Sequence, residues 1–150
     1  MLSSRIKVII ENQARVERNI IYGGQSLNKQ IGLKRPTDDF DIYSKDALRS
    51  AVKTMNLLNR EFLGGFHIEK AKHPGTWKVM FGKTCIADYT QLSLPYPYVR
   101  EINGILYKVI AEEKAAKIKA IRDPEFRFRY WKDMQDLTQI KRHENKVFSL

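Results

Sequence analysis

Residues 35–42 constrain the fold of this chain more than any other part of the sequence. They read Arg-Pro-Thr-Asp-Asp-Phe-Asp-Ile, so acidic and apolar side chains alternate after the proline. This period of two is typical of a strand, in which Asp39 and Asp41 point to the same face. Two neighbouring carboxylates repel each other on a packed face unless a cation lies between them. The segment therefore predicts either a strand that holds a divalent cation or a strand whose acidic face is open to solvent.

A double glycine precedes this strand in the sequence. It separates residues 19–22, whose apolar run predicts a buried strand, from a short helix predicted over residues 25–30. Glycine lets a backbone approach a phosphate closely, and the start of a helix offers free N–H groups to an anion. The turn formed by Gly23, Gly24, Gln25 and Ser26 is therefore a candidate nucleotide-binding site. The alternative is a tight turn that binds no ligand.

A third carboxylate, Asp88, lies in an alternating strand predicted over residues 84–92. The alternation places Cys85, Ala87 and Tyr89 on one face and Asp88 on the other, so we expect Cys85 to be a small buried hydrophobe. Beside the first two carboxylates, Asp88 would complete a set of three oxygen ligands. Oxygen is the ligand that Mg²⁺ prefers, and Mn²⁺ accepts the same set. The alternative is a one-sided sheet that exposes Asp88 to solvent.

The rest of the chain predicts an α+β domain that spans residues 1–150. Helices are expected over residues 4–18, 45–62, 108–121 and 123 to about 142, and hairpins over residues 66–81 and 102–107. In the second helix Ser44 is the expected cap, and the expected buried stripe is Leu48, Val52, Met55 and Leu58. The aromatic rings of Trp77, Phe126, Phe128 and Trp131 are expected mostly in the core, and the alternative is that a ring near the cleft stacks on a base.

Composition excludes several classes of protein. A single cysteine rules out an internal disulfide and a Cys-rich zinc module, and no apolar run reaches the length of a membrane span. The start of the chain does not have the pattern of a signal peptide, so we expect a soluble, cytoplasmic protein without a membrane partner. The formal net charge of +10 favours a polyanionic partner such as a nucleotide or nucleic acid.

In this order, the glycine turn, the Asp-x-Asp strand and the later aspartate resemble the nucleotidyltransferase fold of the DNA polymerase β superfamily. They look closest to the abortive-infection type nucleotidyltransferase toxins and to viral poly(A) polymerase-like proteins. The strand motif of that family runs Arg-x-Ser/Thr-x-Asp-apolar-Asp-apolar, and residues 35–42 fit it position by position. The resemblance implies a small mixed sheet with helices packed on it.

The resemblance extends to the two closing helices. Residues 111–114, Ala-Glu-Glu-Lys, are similar to the helix whose lysine approaches the nucleotide phosphates, which implies that role for Lys114. Residues 129–137 are similar to the Arg-x-x-Lys-Asp-x-x-Asp-Leu closing helix, which implies a second phosphate contact for Lys132. For Asp133 and Asp136 we expect a salt-bridge ladder within the helix or a role in positioning it. Gln25 departs from the family pattern, which has Ser or Thr at that place.

The resemblance implies a Mg²⁺-dependent enzyme that moves a nucleoside monophosphate from an NTP to a hydroxyl group and releases pyrophosphate. The implied acceptor is RNA, tRNA included, or protein. Asp39 and Asp41 would hold metal ions, and Asp88 would bind the catalytic metal and position the acceptor hydroxyl. The second hypothesis is a non-catalytic module, such as a toxin–antitoxin partner, that binds nucleic acid or protein through its basic surface. The oligomeric state is not predicted.

Overall fold

The computed structural model describes residues 2–148 of the chain. The elements are, in chain order, α1 (Ser4–Glu17), β1 (Ile20–Tyr22), α2 (Gly23–Ile31), β2 (Phe40–Ser44), α3 (Ala47–Phe62), β3 (Phe66–Lys70), β4 (Thr76–Phe81), β5 (Thr84–Gln91), β6 (Val99–Ile102), β7 (Ile105–Lys108), α4 (Ile110–Ile121), a 3₁₀ helix (Pro124–Arg129) and α5 (Tyr130–Phe148). No helix within residues 2–148 is both long enough and apolar enough to cross a membrane.

The strands form one mixed sheet in the order β3-β4-β5-β2-β1-β7-β6. β2 runs parallel to β5, and β1 runs parallel to β7, while all other neighbours are antiparallel. The predicted α+β class with a small mixed sheet is confirmed. The hairpin predicted around Asn103-Gly104 is also present as β6–β7, and both turn residues have positive φ, as a two-residue type I′ turn requires.

The core lies between one face of the sheet and the helices α1 and α3. Ile21, Ile42 and Ala87 are fully buried there and pack in one cluster with Ile10 of α1 and Leu58 of α3. Burial of each large aliphatic side chain contributes roughly 1.5–3 kcal/mol. Because successive side chains of a strand point to opposite faces, this core fixes which residues of β2 and β5 point to the other side of the sheet.

Helix α3 buries only half of the predicted stripe. Leu58 is fully buried and Met55 packs against the core, whereas Leu48 and Val52 are 43% and 36% exposed. The other buried positions carry small side chains, namely Ala47, Ser50, Ala51 and Thr54. Small side chains let the helix lie close to the sheet, and the buried hydroxyl of Thr54 bonds the Tyr89 hydroxyl at 2.6 Å. The predicted cap is also wrong, because Asp46 accepts from the Arg49 N–H.

The C-terminal region differs from the prediction in two ways. Asp123 caps a separate 3₁₀ helix instead of a single long helix, and α5 then continues beyond the predicted end to Phe148. The aromatic side chains expected in the core are on the surface, since Phe128 and Trp131 are each 82% exposed and Phe126 is 42% exposed. Core packing therefore does not account for the aromatic residues of this segment.

Candidate active site

The predicted carboxylates lie on the sheet face opposite the core. Asp41 and Asp88 are direct partners in the parallel pairing of β2 with β5, and Asp39 immediately precedes β2. Phe40 and Ile42, which flank Asp41, are buried on the core side. Because these two side chains point into the core, the acids that alternate with them must point to the opposite face of the sheet. The local sequence and the core together therefore place the three carboxylates next to one another.

Asp39 and Asp88 converge on a third side chain that the sequence did not predict there. Single ligand atoms of Asp39, Asp88 and Cys85 all lie within 4.8 Å of one another, and the Cys85 thiol donates to Asp88 Oδ1 at 3.4 Å. The expected orientation of Cys85, with Ala87 and Tyr89, is wrong because the β4–β5 pairing shifts register: Val79 pairs with Ala87, but Met80 pairs with Cys85. One residue of β5 is thereby left unpaired, as in a β-bulge.

Burial and the neighbouring carboxylates raise the pKa of Asp39 and of Asp41. Burial, followed by the charges of Asp39 and Asp88, raises the pKa of Asp41 to about 7. Burial and then the charge of Asp88 raise the pKa of Asp39. Within residues 2–148, no side chain or backbone N–H donates a hydrogen bond to the carboxylate of Asp39 or Asp41. The charges of Lys132 and Arg129 lower the pKa of Asp39, and Arg129 lowers that of Asp41, but burial and the neighbouring carboxylates outweigh them.

A divalent cation fits this set of ligands. The converging oxygens of Asp39 and Asp88 are hard donors, and Asp41, which is not in that converging set, lies beside Asp88 in the sheet. A bound cation would offset the repulsion that raises the pKa of Asp39 and Asp41. The thiol of Cys85 is a soft donor that suits Mg²⁺ poorly, and burial together with Asp88 raises its pKa, which favours the neutral thiol. The residues that could hold the metal are therefore Asp39, Asp41 and Asp88.

The glycine turn contacts this acidic group directly. Gly23 has φ +70°, and a Cβ atom built on it would lie 2.5 Å from Asp41 Oδ2. A Cβ on Gly24 would lie 3.2 Å from the guanidinium of Arg35. The first turn of α2 receives no side-chain cap from Tyr22, and the Gly23 N–H donates to Glu113 Oε1 at 2.8 Å. The turn is thus a close approach of backbone to a carboxylate at the start of a helix.

Gln25 and Ser26 use their side chains within the fold. Gln25 Nε2 donates to the Thr37 carbonyl at 3.2 Å, and the fully buried Ser26 hydroxyl donates to the Lys108 carbonyl at 2.9 Å. Both side chains are therefore occupied. A ligand at this turn would meet the backbone of the two glycines and not the Ser26 hydroxyl, which corrects the expectation that Ser26 holds a phosphate.

A cleft of about 240 Å³ opens in front of Asp41 and the two glycines. One wall is aromatic, because Tyr22 and Tyr43 stack with ring centroids 3.9 Å apart. The rest of the lining comes from the end of β7, from α4, from the 3₁₀ helix and from the start of α5. It carries the cations Lys108, Lys117 and Arg129 and the acids Glu113 and Asp133. Side chains of both charges therefore surround Asp41, an arrangement suited to an anionic ligand that brings its own cation.

Of the two lysines predicted to contact phosphate, one lies outside the cleft and the other lies near the carboxylates. Lys114 does not line the cleft, and its Nζ pairs with Glu144 of α5 at 2.9 Å. Lys132 is exposed. Partial burial and the charges of Arg35 and Arg129 lower its pKa, and the opposite effect of Asp39 on this pKa places Lys132 near the acids. On α4, the residues facing the cleft are Glu113 and, four positions further, Lys117. This four-residue spacing was visible in the sequence and is the signal that could have identified Lys117.

A buried ion network connects the cleft to α5. Arg35 binds Asp136 through two nitrogens, each 2.8 Å from a carboxylate oxygen. Lys117 pairs with Asp136 at 2.9 Å and with Asp133 at 3.0 Å. One pair of the predicted ladder is present, since Arg129 lies 3.7 Å from Asp133 four residues on, but the shorter contacts of both acids are with Arg35 and Lys117, outside the helix. The alternative expectation, that they position the helix, agrees with the contacts.

Sequence comparison identifies the family. The poly(A) polymerase catalytic subunit family matches residues 8–127 of this chain. That range contains the glycine turn, the three carboxylates and Lys117. No curated protein sequence matches the chain.

Solved structures share the fold at low sequence identity. The crystal structure of the Megavirus polyadenylate synthase superposes with a TM-score of 0.77 and 20% identity, and the match covers 91% of this chain and 30% of that one. JHP933 from Helicobacter pylori has a TM-score of 0.66 and 17% identity, over 95% and 68% of the two chains. An antigenic nucleotidyltransferase-like protein from Paracoccidioides brasiliensis has a TM-score of 0.53 and 17% identity, over 93% and 77%.

These matches agree with the motifs and with the site. The chain spans less than a third of the length of the viral synthase. At identities of 17–20%, the TM-scores of 0.53 to 0.77 show a common nucleotidyltransferase fold. With the family match over most of its length, the chain belongs to the poly(A) polymerase catalytic subunit family, a family of nucleotidyltransferase enzymes.

Proposed function

We propose that this chain transfers a nucleoside monophosphate from an NTP to a hydroxyl of RNA, with Mg²⁺ or Mn²⁺ as cofactor and release of pyrophosphate. The observation that carries the proposal is the direct contact between two features. The Gly23 backbone lies against Asp41, and Asp41 in turn lies beside Asp88 and Asp39. A phosphate seated at the turn would therefore lie next to the carboxylates that bind the metal.

The proposed step is a displacement at the α-phosphorus of the NTP. The acceptor hydroxyl oxygen forms a bond to that phosphorus, and the bond to the β-phosphate oxygen breaks, so that pyrophosphate leaves with the bonding electron pair. We assign Asp88 to position the hydroxyl and to take up its proton. A divalent cation held by Asp39, Asp41 and Asp88 would supply positive charge to both the carboxylates and the phosphates.

The cations of the cleft wall complement the triphosphate. Lys108 and Arg129 line the cleft, and we assign them to stabilise the phosphate charge, whereas Lys117 is already neutralised by Asp133 and Asp136. Lys132 lies close enough to Asp39 to join them at the open side. We place Lys114 outside this group, because Glu144 neutralises it.

Transfer of label tests the proposal. The purified chain is incubated with each α-labelled NTP, Mg²⁺ or Mn²⁺, total RNA and tRNA, and a cell extract that supplies protein acceptors. We expect label on RNA from the wild type and none from a variant with Asp39→Ala and Asp41→Ala that remains folded by circular dichroism. Label on protein instead of RNA would replace the proposed acceptor, and label that persists in the variant would refute the assigned site.

The alternative is a non-catalytic module of the same fold, for example a toxin–antitoxin partner, and the net charge of +10 is the observation that favours it. Such a module needs no carboxylate group beside its ligand. RNA binding that survives both chelation of the metal and removal of the three acids, with no label transfer to any acceptor, would support the alternative.

A further inference from the structure

Arginine and aromatic side chains alternate in the segment that joins α4 to α5. We call residues 122–132 the aromatic–arginine segment; it contains the 3₁₀ helix and the first turn of α5. Its basic residues are Arg122, Arg127, Arg129 and Lys132, and they outnumber its acids, Asp123 and Glu125. Its aromatic residues are Phe126, Phe128, Tyr130 and Trp131.

The aromatic side chains of this segment are exposed to an extent that folding does not explain. Phe128 and Trp131, three residues apart in helical backbone, each expose 82% of their surface. Side chains at this spacing lie on neighbouring parts of one helix face. The other tryptophan of the chain, Trp77, packs against the core. Exposed apolar groups clustered in this way mark a binding surface.

The segment borders the catalytic cleft. Phe126 and Arg129 line the cleft that contains Asp41. Arg122, Arg127 and Trp131 of the same segment line a second cavity of about 340 Å³. The segment therefore contributes side chains to both cavities.

The charges of the segment select the kind of ligand. Within residues 2–148, neither Arg122 nor Arg127 forms an ion pair, and the same is true of Lys132. The complementary ligand is therefore anionic and also carries flat apolar groups that can stack on rings. Single-stranded nucleic acid has both properties, whereas a duplex keeps its bases stacked inside.

We propose that the aromatic–arginine segment binds the single-stranded end of the acceptor RNA. Bases stack on Phe128 and Trp131, and the phosphates lie near Arg122 and Arg127. The strand then passes Phe126, which leads its terminal hydroxyl into the cleft toward Asp88. This inference rests on the proposed transfer for the identity of the strand, but the binding itself requires neither metal nor catalysis.

Fluorescence anisotropy with a labelled 15-nucleotide oligo(A) RNA tests the proposal, in EDTA so that transfer does not occur. The variant with Phe128→Ala and Trp131→Ala should bind at least about tenfold more weakly than the wild type, because each stacked base is lost with its ring. Val16→Ala, which truncates an exposed apolar side chain of α1, is the matched control and should bind as the wild type does. An RNA duplex of the same length should bind more weakly than the single strand.

Tryptophan fluorescence gives a second and independent readout. Trp131→Phe keeps a ring and should retain affinity within about threefold, yet it should lose the quenching that the oligonucleotide causes in the wild type. Unchanged RNA affinity in the double alanine variant would overturn the proposal. Self-association of the wild type in sedimentation velocity that the double variant abolishes, with RNA affinity unchanged, would identify a protein interface instead.

The two proposals can fail separately. RNA binding that depends on Phe128 and Trp131 in a chain without transferase activity would contradict the proposed function and leave this surface in place. Label transfer to RNA that is unaffected, in rate and in KM for RNA, by the double alanine variant would support the proposed function and contradict this surface.

Discussion

At the scale of single residues, the site depends on how closely a backbone and a carboxylate approach. Gly23 is fixed in the left-handed region by the start of α2, and Asp41 is fixed by the burial of its two neighbours in β2. Any side chain at residue 23 would therefore collide with Asp41 Oδ2. Glycine at residue 23 therefore permits both the close position of the Asp41 carboxylate and the positive φ of the backbone.

Gly23→Ala can be compared with a matched substitution at Gly32. Both glycines have nearly the same φ, +70° and +69°, but a Cβ on Gly32 meets no atom within 4 Å. Gly32→Ala should lower the free energy of unfolding by about 1 kcal/mol through backbone strain alone. Gly23→Ala should lower it by at least about 1 kcal/mol more and should reduce label transfer. Urea denaturation measures both, and equal losses would contradict the contact with Asp41.

The raised pKa of Asp41 predicts a pH-dependent stability. Because the pKa of this residue is about 7 in the fold and 3.8 in the reference state, the folded chain binds the additional proton between these values. The free energy of unfolding therefore falls as the pH rises from about 4 to about 7. The side chain of Asp41→Asn does not ionise, so this variant should not lose stability as the pH rises. It should be more stable than the wild type at pH 8 by on the order of 3 kcal/mol, with little difference at pH 4.

Urea denaturation in EDTA measures this effect at both pH values. Glu125→Gln, at an exposed residue, is the control and should change stability by less than about 0.5 kcal/mol at either pH. A stability difference between Asp41→Asn and the wild type that does not grow with pH would show that Asp41 is not held in a repulsive environment.

The residues of the site differ in how far the sequence could predict them. Asp39, Asp41 and the glycines were predictable because the alternation and the double glycine are local signals. Cys85 was not, since a bulge arises from the pairing of two strands and leaves no mark in either one. Ser26 has the residue type of a phosphate ligand, but its hydroxyl bonds a carbonyl of β7, which is distant in sequence.

At the scale of elements, the closing helices are held by charge pairs and not by an apolar seam alone. Asp136 is fully buried, and although burial raises its pKa, hydrogen bonds from Arg35 and Lys117 outweigh this and keep the pKa below its usual range. Arg35 leads into the strand that carries Asp41, while Lys117 also lines the cleft. The network therefore links α4 and α5 to the position of β2.

Asp136→Asn should destabilise the chain by about 3 kcal/mol, because the largely buried Arg35 guanidinium loses its charged partner and Lys117 keeps only Asp133. Glu61→Gln removes the partner of Arg5 in a surface pair and should change stability by less than about 0.5 kcal/mol. Thermal and urea unfolding measure both variants. A loss for Asp136→Asn no larger than that of the surface variant would contradict the positioning role of the network.

Helix α3 shows why the existence of an element is easier to predict than its orientation. The sequence predicted the helix, but large apolar side chains determined the expected face, and Leu48 and Val52 are exposed. The sheet selects the small residues instead, since close packing against strands leaves little room. Buried hydroxyls such as Thr54 resemble surface residues in a sequence until their partners are known.

At the scale of the whole molecule, the strand order creates the site. β5 follows β2 by a helix and a hairpin, and it returns to lie parallel and adjacent to β2. The sequence predicts each strand, but local alternation contains no information on which strands are neighbours, so the meeting of Asp88 with Asp41 remained a hypothesis until the sheet was known. The family match and the shared fold indicate that this arrangement belongs to a nucleotidyltransferase.

The most direct test of the account compares Asp88→Asn with Cys85→Ser. The two residues lie on the same strand and their side chains touch, so general damage to β5 would affect both variants. The measurement is the initial rate of label transfer from an α-labelled NTP to RNA in Mg²⁺. We expect Asp88→Asn to lower the rate by about 10²–10⁴-fold and Cys85→Ser to keep it within about threefold. Transfer at the wild-type rate by Asp88→Asn would contradict the role assigned to Asp88 and with it the proposed active site.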